Sequence, residues 1–428
     1  MNATTLEYER PHLKAAIQAA TWISHARVAT EHGCTWQATL EGAQQEPDDP
    51  WLYSGSVGVV LFLLELYGAT ADKSFLNEAF TGIDHLTATL PFESCEDSYL
   101  GLYSGIAGAA YMFELAHQVG GRSQDRESGI KCIDVIHRHA RIASANGRAW
   151  GRGAEIQAGR GGAGLGLLWW ARATNDADAL ELAIQAGHAV VKRAKPHHKG
   201  GLFWERDGLV SGIPGFMHGS SGPAYFLAAL YEHTRESSFL STAIEAAHYF
   251  KQIAIVDDGG RWFVPSTFYE QGGELLPLRS VKWCDGAPGI WRPFFQLARV
   301  TGEPEWTEWV HRLAYGAMNS DRQEVLPDSS IQCCGDSGVA QAYLDLHCAY
   351  GKPEHLAFAR RLNDSLMRRA TLDETGMHWE AVNDLTGNTY PPQTGFMSGA
   401  AGIGTWMLHL DGFEQGRKPV VTLPDSPF

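Results

Sequence analysis

Three cysteines stand directly before short glycine turns, in a register that unrelated turns rarely share. Cys284 comes two residues before the turn at residues 286–289. Cys333 has the same place before the turn at residues 335–338, with Cys334 beside it. Three thiolates are a zinc ligand set with an open fourth position, which is the arrangement of catalytic rather than structural zinc sites. Such an all-sulfur set can also bind a substrate thiol and deprotonate it on coordination. These residues therefore predict a thiol-activating zinc site.

The G-x-x-G turn recurs along the chain with a nearly regular period. Seven copies begin 49 to 67 residues apart, at Gly55, Gly105, Gly161, Gly219, Gly286, Gly335 and Gly399. A nearly all-apolar helical stretch follows each turn. More amphipathic helices precede the turns, as at residues 11–29, 74–86, 178–194, 239–253, 306–318 and 354–370. One such turn is a weak signal, but seven in phase with the helix pattern indicate a repeat architecture.

This repeat predicts an all-α fold, an α/α toroid of seven inner and seven outer helices. The apolar helices need cover on most sides, so they form the inner ring and the amphipathic helices surround them. Glycines let the backbone turn sharply into each inner helix, and all seven turns should meet at one end of the ring. We expect one domain over residues 1–428. Short hairpins are predicted in the loops at 195–217 and 257–279, and coil from about residue 412.

Composition narrows the classes of function. The formal charge of −15 argues against a nucleic-acid partner, because a phosphate-binding face needs clustered Lys and Arg. The longest apolar run near the start covers residues 57–64, well short of a membrane span, and no signal peptide is visible. Seven cysteines are an odd number for a disulfide framework, which favours metal binding or reactive thiols. We therefore expect a soluble cytoplasmic protein.

If the seven turns are equivalent, the residues before each of them face the mouth of the central cavity. One residue before the first glycine, the chain has Ser54, Ser104, Arg160, His218, Asp285, Cys334 and Ser398. Two residues before it, the chain has Tyr53, Tyr103, Gly159, Met217, Cys284, Cys333 and Met397. Random placement would put about 0.2 of the seven cysteines at these positions, yet three are there. The alternative is that small cysteines simply pack well at tight turns.

These motifs resemble the lanthionine synthetase C-like cyclases over nearly the whole chain. The resemblance rests on the seven turns, Trp-Cys-x-Gly-x-Pro-Gly at 283–289, His-Gly-x-x-Gly at 218–222 and Cys-Cys-Gly at 333–335. It implies a toroid with a central zinc that activates a peptide cysteine. That thiolate adds to a dehydroalanine or dehydrobutyrine of the same peptide and closes the (methyl)lanthionine ring of a lanthipeptide. The family commonly has Cys-His-Gly at the third motif, and its known Cys-Cys-Gly variant supports Cys334 as the ligand beside Cys284 and Cys333.

The resemblance also implies acid–base residues. His218 matches the family's catalytic histidine, which is thought to transfer protons near the metal; a hydrogen-bonded turn histidine is the structural alternative. Asp285 stands where the family often has a tyrosine. An aspartate could protonate the enolate only if neighbouring negative charge raised its pKa, so we expect Asp285 to orient other groups.

Three basic residues are candidates for substrate binding. The family often has an arginine four residues before the first zinc cysteine, whereas this chain has Ser280 there, flanked by Arg279 and Lys282. Arg160 could offset the negative charge of the thiolates or bind a carboxylate; a structural salt bridge is the alternative for it.

Other functions stay open at this point. A related enzyme could add glutathione or another small thiol to dehydrated residues, and a zinc-stabilised peptide-binding scaffold would need no catalysis. A carbohydrate-active α/α barrel is disfavoured, because only Asp285 and Asp336 approach the turn register and glycosidases need a carboxylate pair. The expected partners are a dehydrated precursor peptide and a separate dehydratase, since the sequence shows no kinase or dehydratase stretch.

Overall fold

The structure is a computed structural model that describes residues 10–40, 49–93, 95–145, 150–151, 153–205, 213–271, 274–321, 329–382 and 388–427. These ranges contain fourteen α-helices and one 3-10 helix, Asp97–Tyr99. The helices after the glycine turns are α2 (Ser56–Thr70), α4 (Ile106–Gly120), α6 (Arg160–Thr174), α8 (Ser221–Thr234), α10 (Ala287–Thr301), α12 (Asp336–Tyr350) and α14 (Ala400–Gln415). The others are α1 (Pro11–His25), α3 (Lys73–Thr89), α5 (Ser123–Ala145), α7 (Ala177–Arg193), α9 (Ser237–Ile253), α11 (Pro304–Met318) and α13 (Pro353–Arg369).

The even-numbered helices form a closed inner ring. Each packs against the next one, from α2 to α14, and α14 packs back against α2. Their sequences allow this because they are apolar all round: residues 56–66 of α2 are buried without interruption. The odd-numbered helices bury one face only, as α7 does with Ala179, Leu182, Ala183, Ala186 and Val190. The predicted α/α toroid of seven inner and seven outer helices is confirmed.

A left-handed residue reverses the chain at the end of every inner helix. These residues are Ala71, Gly121, Asn175, Arg235, Gly302, Gly351 and Gly416. Glycine is the residue that adopts this conformation without strain, which explains four of the seven. Because the reversal is tight, each inner helix from α2 to α12 packs closely on the outer helix that follows it, and α14 packs on α1.

Within the described ranges, the loops contain six two-stranded antiparallel hairpins. They pair β1 (Arg27–Thr30) with β2 (Gly33–Trp36), β3 (Lys195–Pro196) with β4 (Leu202–Phe203), β5 (Ile255–Val256) with β6 (Trp262–Phe263), β7 (Thr267–Gln271) with β8 (Glu274–Leu278), β9 (Thr371–Asp373) with β10 (Gly376–His378) and β11 (Ala381–Val382) with β12 (Thr389–Tyr390). The hairpins predicted in the loops at 195–217 and 257–279 are present, although residues 206–212 and 272–273 lie outside the described residues.

Three predicted boundaries are wrong, and one of them is the end of α3, which lies at Thr89 rather than at residue 86. Helix α1 ends at His25 instead of Ala29, because residues 27–30 pair with residues 33–36 across a turn in which Gly33 has φ of +147°. The C-terminal coil begins after Gln415 rather than near residue 412, since α14 continues one more turn. Among the described residues, no helix combines the length and apolar character needed to cross a membrane.

Candidate metal centre

Seven backbone segments, one before each inner helix, are hydrogen-bonded into a closed ring at the N-terminal end of these helices. Each amide donates to a carbonyl of the next segment: Tyr53 to Tyr103 (2.9 Å), Tyr103 to Gln157 (3.0 Å), Ile156 to Met217 (3.1 Å), Met217 to Cys284 (2.8 Å), Cys284 to Cys333 (3.3 Å), Cys333 to Met397 (2.9 Å) and Met397 to Tyr53 (2.8 Å). The ring makes residues of distant repeats neighbours, and it places Cys284 directly beside Cys333.

The second glycine of each turn lets the following helix approach this ring. A Cβ atom at Gly338 would lie 1.8 Å from the carbonyl oxygen of Gln332, so no larger residue fits there. The same clash identifies the third turn: a Cβ atom at Gly162 would lie 1.9 Å from the carbonyl oxygen of Ile156.

The third turn therefore covers residues 159–162, two positions earlier than predicted. The stretch from Gly159 to Gly164 contains two overlapping G-x-x-G matches, at residues 159–162 and 161–164. The predicted turn was the second of these. In the correct register, Gln157 and Ala158 precede the turn, and Arg160 is the first residue of α6. Arg160 is thus not equivalent to His218 or to the cysteines.

Cys284 and Cys333, which are buried, form one cluster with the partly buried Cys334. Their Sγ atoms all lie within 4.8 Å of one another, with 3.5 Å between Cys284 and Cys334 and 3.1 Å between Cys334 and Cys333. Cys284 is 8% exposed and Cys333 is 2% exposed. Tetrahedral zinc with Zn–S bonds of about 2.3 Å separates its sulfur ligands by roughly 3.8 Å. Three free thiols at this spacing fit a zinc ion, and they are the one such group among the described residues.

The cluster favours a thiolate at Cys334. Hydrogen bonding with the Cys284 and Cys333 thiols, helped by the positive charges of Lys282 and His218, holds the pKa of Cys334 well below its usual range. Hydrogen bonding within the cluster, together with burial, raises the pKa of Cys284. The hydrogen bond with Cys284 lowers the pKa of Cys333, but its hydrogen bond to Cys334 and its burial outweigh this, so the pKa is raised. Negative charge is therefore already favoured at the centre of the site.

His218, Lys282 and Asp285 lie around the cysteines. His218 and Lys282 both act on the charge of Cys334. Asp285 adds negative charge beside Cys284, and its Oδ1 accepts a hydrogen bond of 2.7 Å from the hydroxyl of Ser280. The structure thus brings three of the predicted residues to the site.

Arg160 and Arg279 are engaged in structural contacts. The Arg160 guanidinium donates to the backbone carbonyls of Trp150, Gly151 (2.7 Å) and Gly153 (3.0 Å). Arg279 pairs with Asp257 at 3.0 Å, and its guanidinium lies 4.2 Å from the centre of the Phe263 ring. Their predicted role in substrate binding stays a prediction.

Sequence reasoning missed Tyr53 as a residue of the site. Hydrogen bonding from its hydroxyl lowers the pKa of the Cys333 thiol, although Cys334 and burial keep that pKa raised overall. Burial raises the pKa of Tyr53 far above its usual range, so the phenol keeps its proton and acts as the donor. Tyr53 has the same place before its turn as Cys284 and Cys333. That register was a signal, but it did not show which side chains meet across the ring.

Comparison with known proteins gives one family and several similar folds. The family model described as Lanthionine synthetase C-like protein matches residues 46–422. Nisin cyclase superposes with a TM-score of 0.67 at 17% identity, over 87% of this chain and 90% of its own. The GH76A α-1,6-mannanase from Salegentibacter sp. HEL1_6 has a TM-score of 0.52 at 14% identity, over 94% and 99% of the two chains. These structural similarities establish the fold alone. No curated protein sequence matches the chain.

Proposed function

Because the chain belongs to the lanthionine synthetase C-like protein family, we propose that it is a zinc-dependent lanthipeptide cyclase. In this reaction a cysteine thiol of a dehydrated peptide adds to a dehydroalanine or dehydrobutyrine of the same peptide and closes a thioether ring. The observation that carries the proposal is the buried cluster of Cys284, Cys333 and Cys334 at the hydrogen-bonded ring of turns. The cluster provides a zinc ligand set with an open fourth position, and it does so in a chain that belongs to a family of cyclases.

Different residues of the site have different roles in the reaction. Zinc held by the three cysteines would lower the pKa of a peptide thiol at the open fourth position. Three anionic ligands leave electron density on the bound sulfur, which favours nucleophilic attack. Lys282 and His218 offset part of the accumulated negative charge at Cys334.

The addition needs one proton to leave sulfur and one to arrive at carbon. The new bond joins sulfur to Cβ of the dehydro residue, and the resulting enolate takes a proton at Cα. The proton lost by the thiol equals the proton gained by carbon, so no other reactant is required. We assign the delivery to His218, since histidine can accept and donate a proton near neutrality. Asp285, hydrogen-bonded to Ser280, orients the turn beside Cys284.

The turn positions do not support the glycosidase alternative, although family 76 mannanases share the fold. Inverting and retaining glycosidases need two carboxylates that flank the scissile bond. Of the fourteen positions one and two residues before the turns in the corrected register, Asp285 is the one carboxylate, and three are cysteines. These positions therefore favour thiol chemistry.

A thiol count by mass spectrometry tests the proposal. The protein is incubated with a dehydrated peptide that contains cysteine, and free thiols are then alkylated with N-ethylmaleimide. Each closed ring removes one alkylation site without changing the peptide mass. We expect fewer adducts with the wild-type protein than with Cys333→Ala. A parallel reaction with a dehydrated peptide lacking cysteine plus glutathione detects intermolecular addition. Glutathione adducts there, without ring closure in the first reaction, would overturn the proposal in favour of the small-thiol enzyme.

A further inference from the structure

The end of the chain runs among the inner helices. The carboxylate of Glu65, on α2, accepts hydrogen bonds from the backbone amides of Val420 and Val421, each at 2.7 Å. The hydroxyl of Tyr111, on α4, donates to the carbonyl of Thr422 at 3.0 Å. Glu65 and Tyr111 are both buried, so these bonds attach residues 420–422 to two inner helices, with the Val421 side chain also buried.

Asp425 continues this tail toward the turn end of the ring. It is 1% exposed, and its Oδ2 accepts hydrogen bonds from the hydroxyl of Tyr103 (2.9 Å) and from Nη1 of Arg292 (3.1 Å). The same Nη1 also donates to the backbone carbonyl of Asp425 at 2.7 Å. The side chains of Asp425 and Arg292 are both buried, so removing either one would leave the charge of the other uncompensated. The tail is thus tied to α10 and to the segment before α4.

The two partners of Asp425 both hold the indole of Trp283. The Arg292 guanidinium lies 5.5 Å from the centre of the Trp283 ring and 4.8 Å from that of Phe216. The rings of Tyr103 and Phe216 meet the indole edge-on, at 5.3 and 5.4 Å. A cation over an indole face and edge-to-face aromatic pairs are both attractive, so these contacts restrict the indole.

Trp283 directly precedes Cys284, and Phe216 is bound to the same turn. The amide of Phe216 donates to the carbonyl of Cys284 at 2.8 Å. The position of the Cys284 thiol is therefore coupled through two neighbours to the aromatic cluster beneath it. We propose that Asp425 is a positioning residue of the metal site: by holding Arg292 and Tyr103 against Trp283, the C-terminal tail fixes the turn that presents Cys284 to zinc. Groups that support a ligand in this way set metal affinity.

Zinc affinity in the full-length protein tests this inference without any peptide. The dissociation constant is measured by competition with a chromophoric chelator for the wild type, Asp425→Ala and Asp425→Asn. We expect about 10-fold weaker binding for Asp425→Ala. Asp425→Asn should fall between, because it keeps the acceptor and loses the charge. Cobalt substitution gives a second measurement, in which the sulfur-to-cobalt absorption of Asp425→Ala should be altered.

Glu114→Gln is the matched control. Glu114 is also a fully buried carboxylate on an inner helix, but it pairs with Arg126 of the outer helix α5. All proteins are measured at a temperature where circular dichroism shows them folded; if Asp425→Ala does not fold, Asp425→Asn decides. A purely structural tail would lower the melting temperature in Asp425→Ala and Glu114→Gln alike and leave the zinc dissociation constant within about two-fold of wild type, which would overturn the inference.

The inference rests on the zinc site of the proposed function, and the two can fail separately. If the wild-type protein binds no zinc, both are wrong. If the wild type and Asp425→Ala bind zinc equally, the cyclase proposal stands and the positioning role of the tail is wrong.

Discussion

The sulfur atoms of Cys284 and Cys334 lie 3.5 Å apart, although 50 positions separate the two residues in the chain. The backbone hydrogen bond from Cys284 to Cys333 explains this proximity, because it joins the fifth and sixth turns of the toroid side by side. A metal bound here would cross-link these two repeats. Their turns are the nearest neighbours in sequence, since the first glycines, Gly286 and Gly335, are 49 positions apart. The proposed zinc site depends on this pairing of the two turns.

We expect the cluster to bind about one zinc ion per chain, and each of Cys284→Ala, Cys333→Ala and Cys334→Ala to lose most of it. Two remaining thiols do not complete a tetrahedral site. Elemental analysis of the purified variants measures the loss. Cys348→Ala changes an exposed cysteine on α12 outside the cluster and should keep the wild-type zinc content. Full zinc retention in the triple alanine variant would refute the ligand assignment.

His218→Ala should keep its zinc but cyclise about 10²-fold more slowly or worse, the usual scale for a general acid–base residue. Asp285→Asn should lose less, because the amide can still accept the hydrogen bond of Ser280. Single-turnover ring closure, read by the thiol count, gives both rates. Normal cyclisation by His218→Ala together with an inactive, zinc-loaded Asp285→Asn would reverse the two roles.

Tyr53→Phe removes the hydroxyl that donates to Cys333 without emptying the space of the ring. A hydrogen bond to a charged group contributes about 1.5–3 kcal/mol, so we expect zinc binding to weaken by about 10- to 150-fold. Chelator competition measures this change. Tyr315→Phe, on the exposed face of α11, is the control and should bind zinc as the wild type does. Equal affinities for all three proteins would show that the phenol does not support the ligand.

Glu65 should make the stability of the protein depend on acid pH. Burial alone would raise the pKa of Glu65, but His409, whose Nε2 lies 3.7 Å from the carboxylate, and hydrogen bonds from Val421 and Arg417 outweigh it and bring the pKa to about 2. Because the folded pKa lies below the unfolded one, the ionised carboxylate stabilises the fold fully above about pH 4.5 and loses this effect as pH falls toward 2. The contribution at neutral pH is about 3 kcal/mol.

Denaturant unfolding of Glu65→Gln and wild type across this pH range checks the prediction. The difference in unfolding free energy should be largest at pH 7 and should shrink between about pH 4.5 and 2. The exposed Glu374, changed to Gln, serves as the control. A difference that stays constant from pH 7 to pH 2.5 would contradict the role of the ionised carboxylate.

The toroid could be predicted because its local and global signals agree. Seven glycine turns recur in phase with apolar helices, and such helices can be buried simply by an inner ring that the amphipathic helices cover. The three cysteines could be grouped for the same reason, since equivalent turns meet at one end of the ring. The error in the third turn arose where this reasoning was ambiguous, between the overlapping matches that begin at Gly159 and Gly161.

The rest depended on contacts that no local pattern reports. The role of Tyr53 depends on its side chain acting on Cys333, which lies two segments away around the hydrogen-bonded ring. The tail after Gln415 has no helical or strand periodicity, and coil was the correct prediction for it. However, an aspartate near the end of a coil is ordinarily exposed. Asp425 is buried because Arg292 and Tyr103 donate hydrogen bonds to it inside the ring, and both of these residues lie more than 130 positions earlier in the chain.

X-ray absorption at the zinc edge shows whether Cys284, Cys333 and Cys334 hold a zinc ion that can bind a substrate thiol. For the zinc-loaded protein alone, we expect three sulfur neighbours at about 2.3 Å and one lighter atom, the signature of an open site. After addition of a dehydrated peptide that contains cysteine, we expect a fourth sulfur neighbour, and Cys284→Ala should show neither pattern. A first shell that is unchanged by the peptide would contradict the claim that this centre activates a substrate thiol.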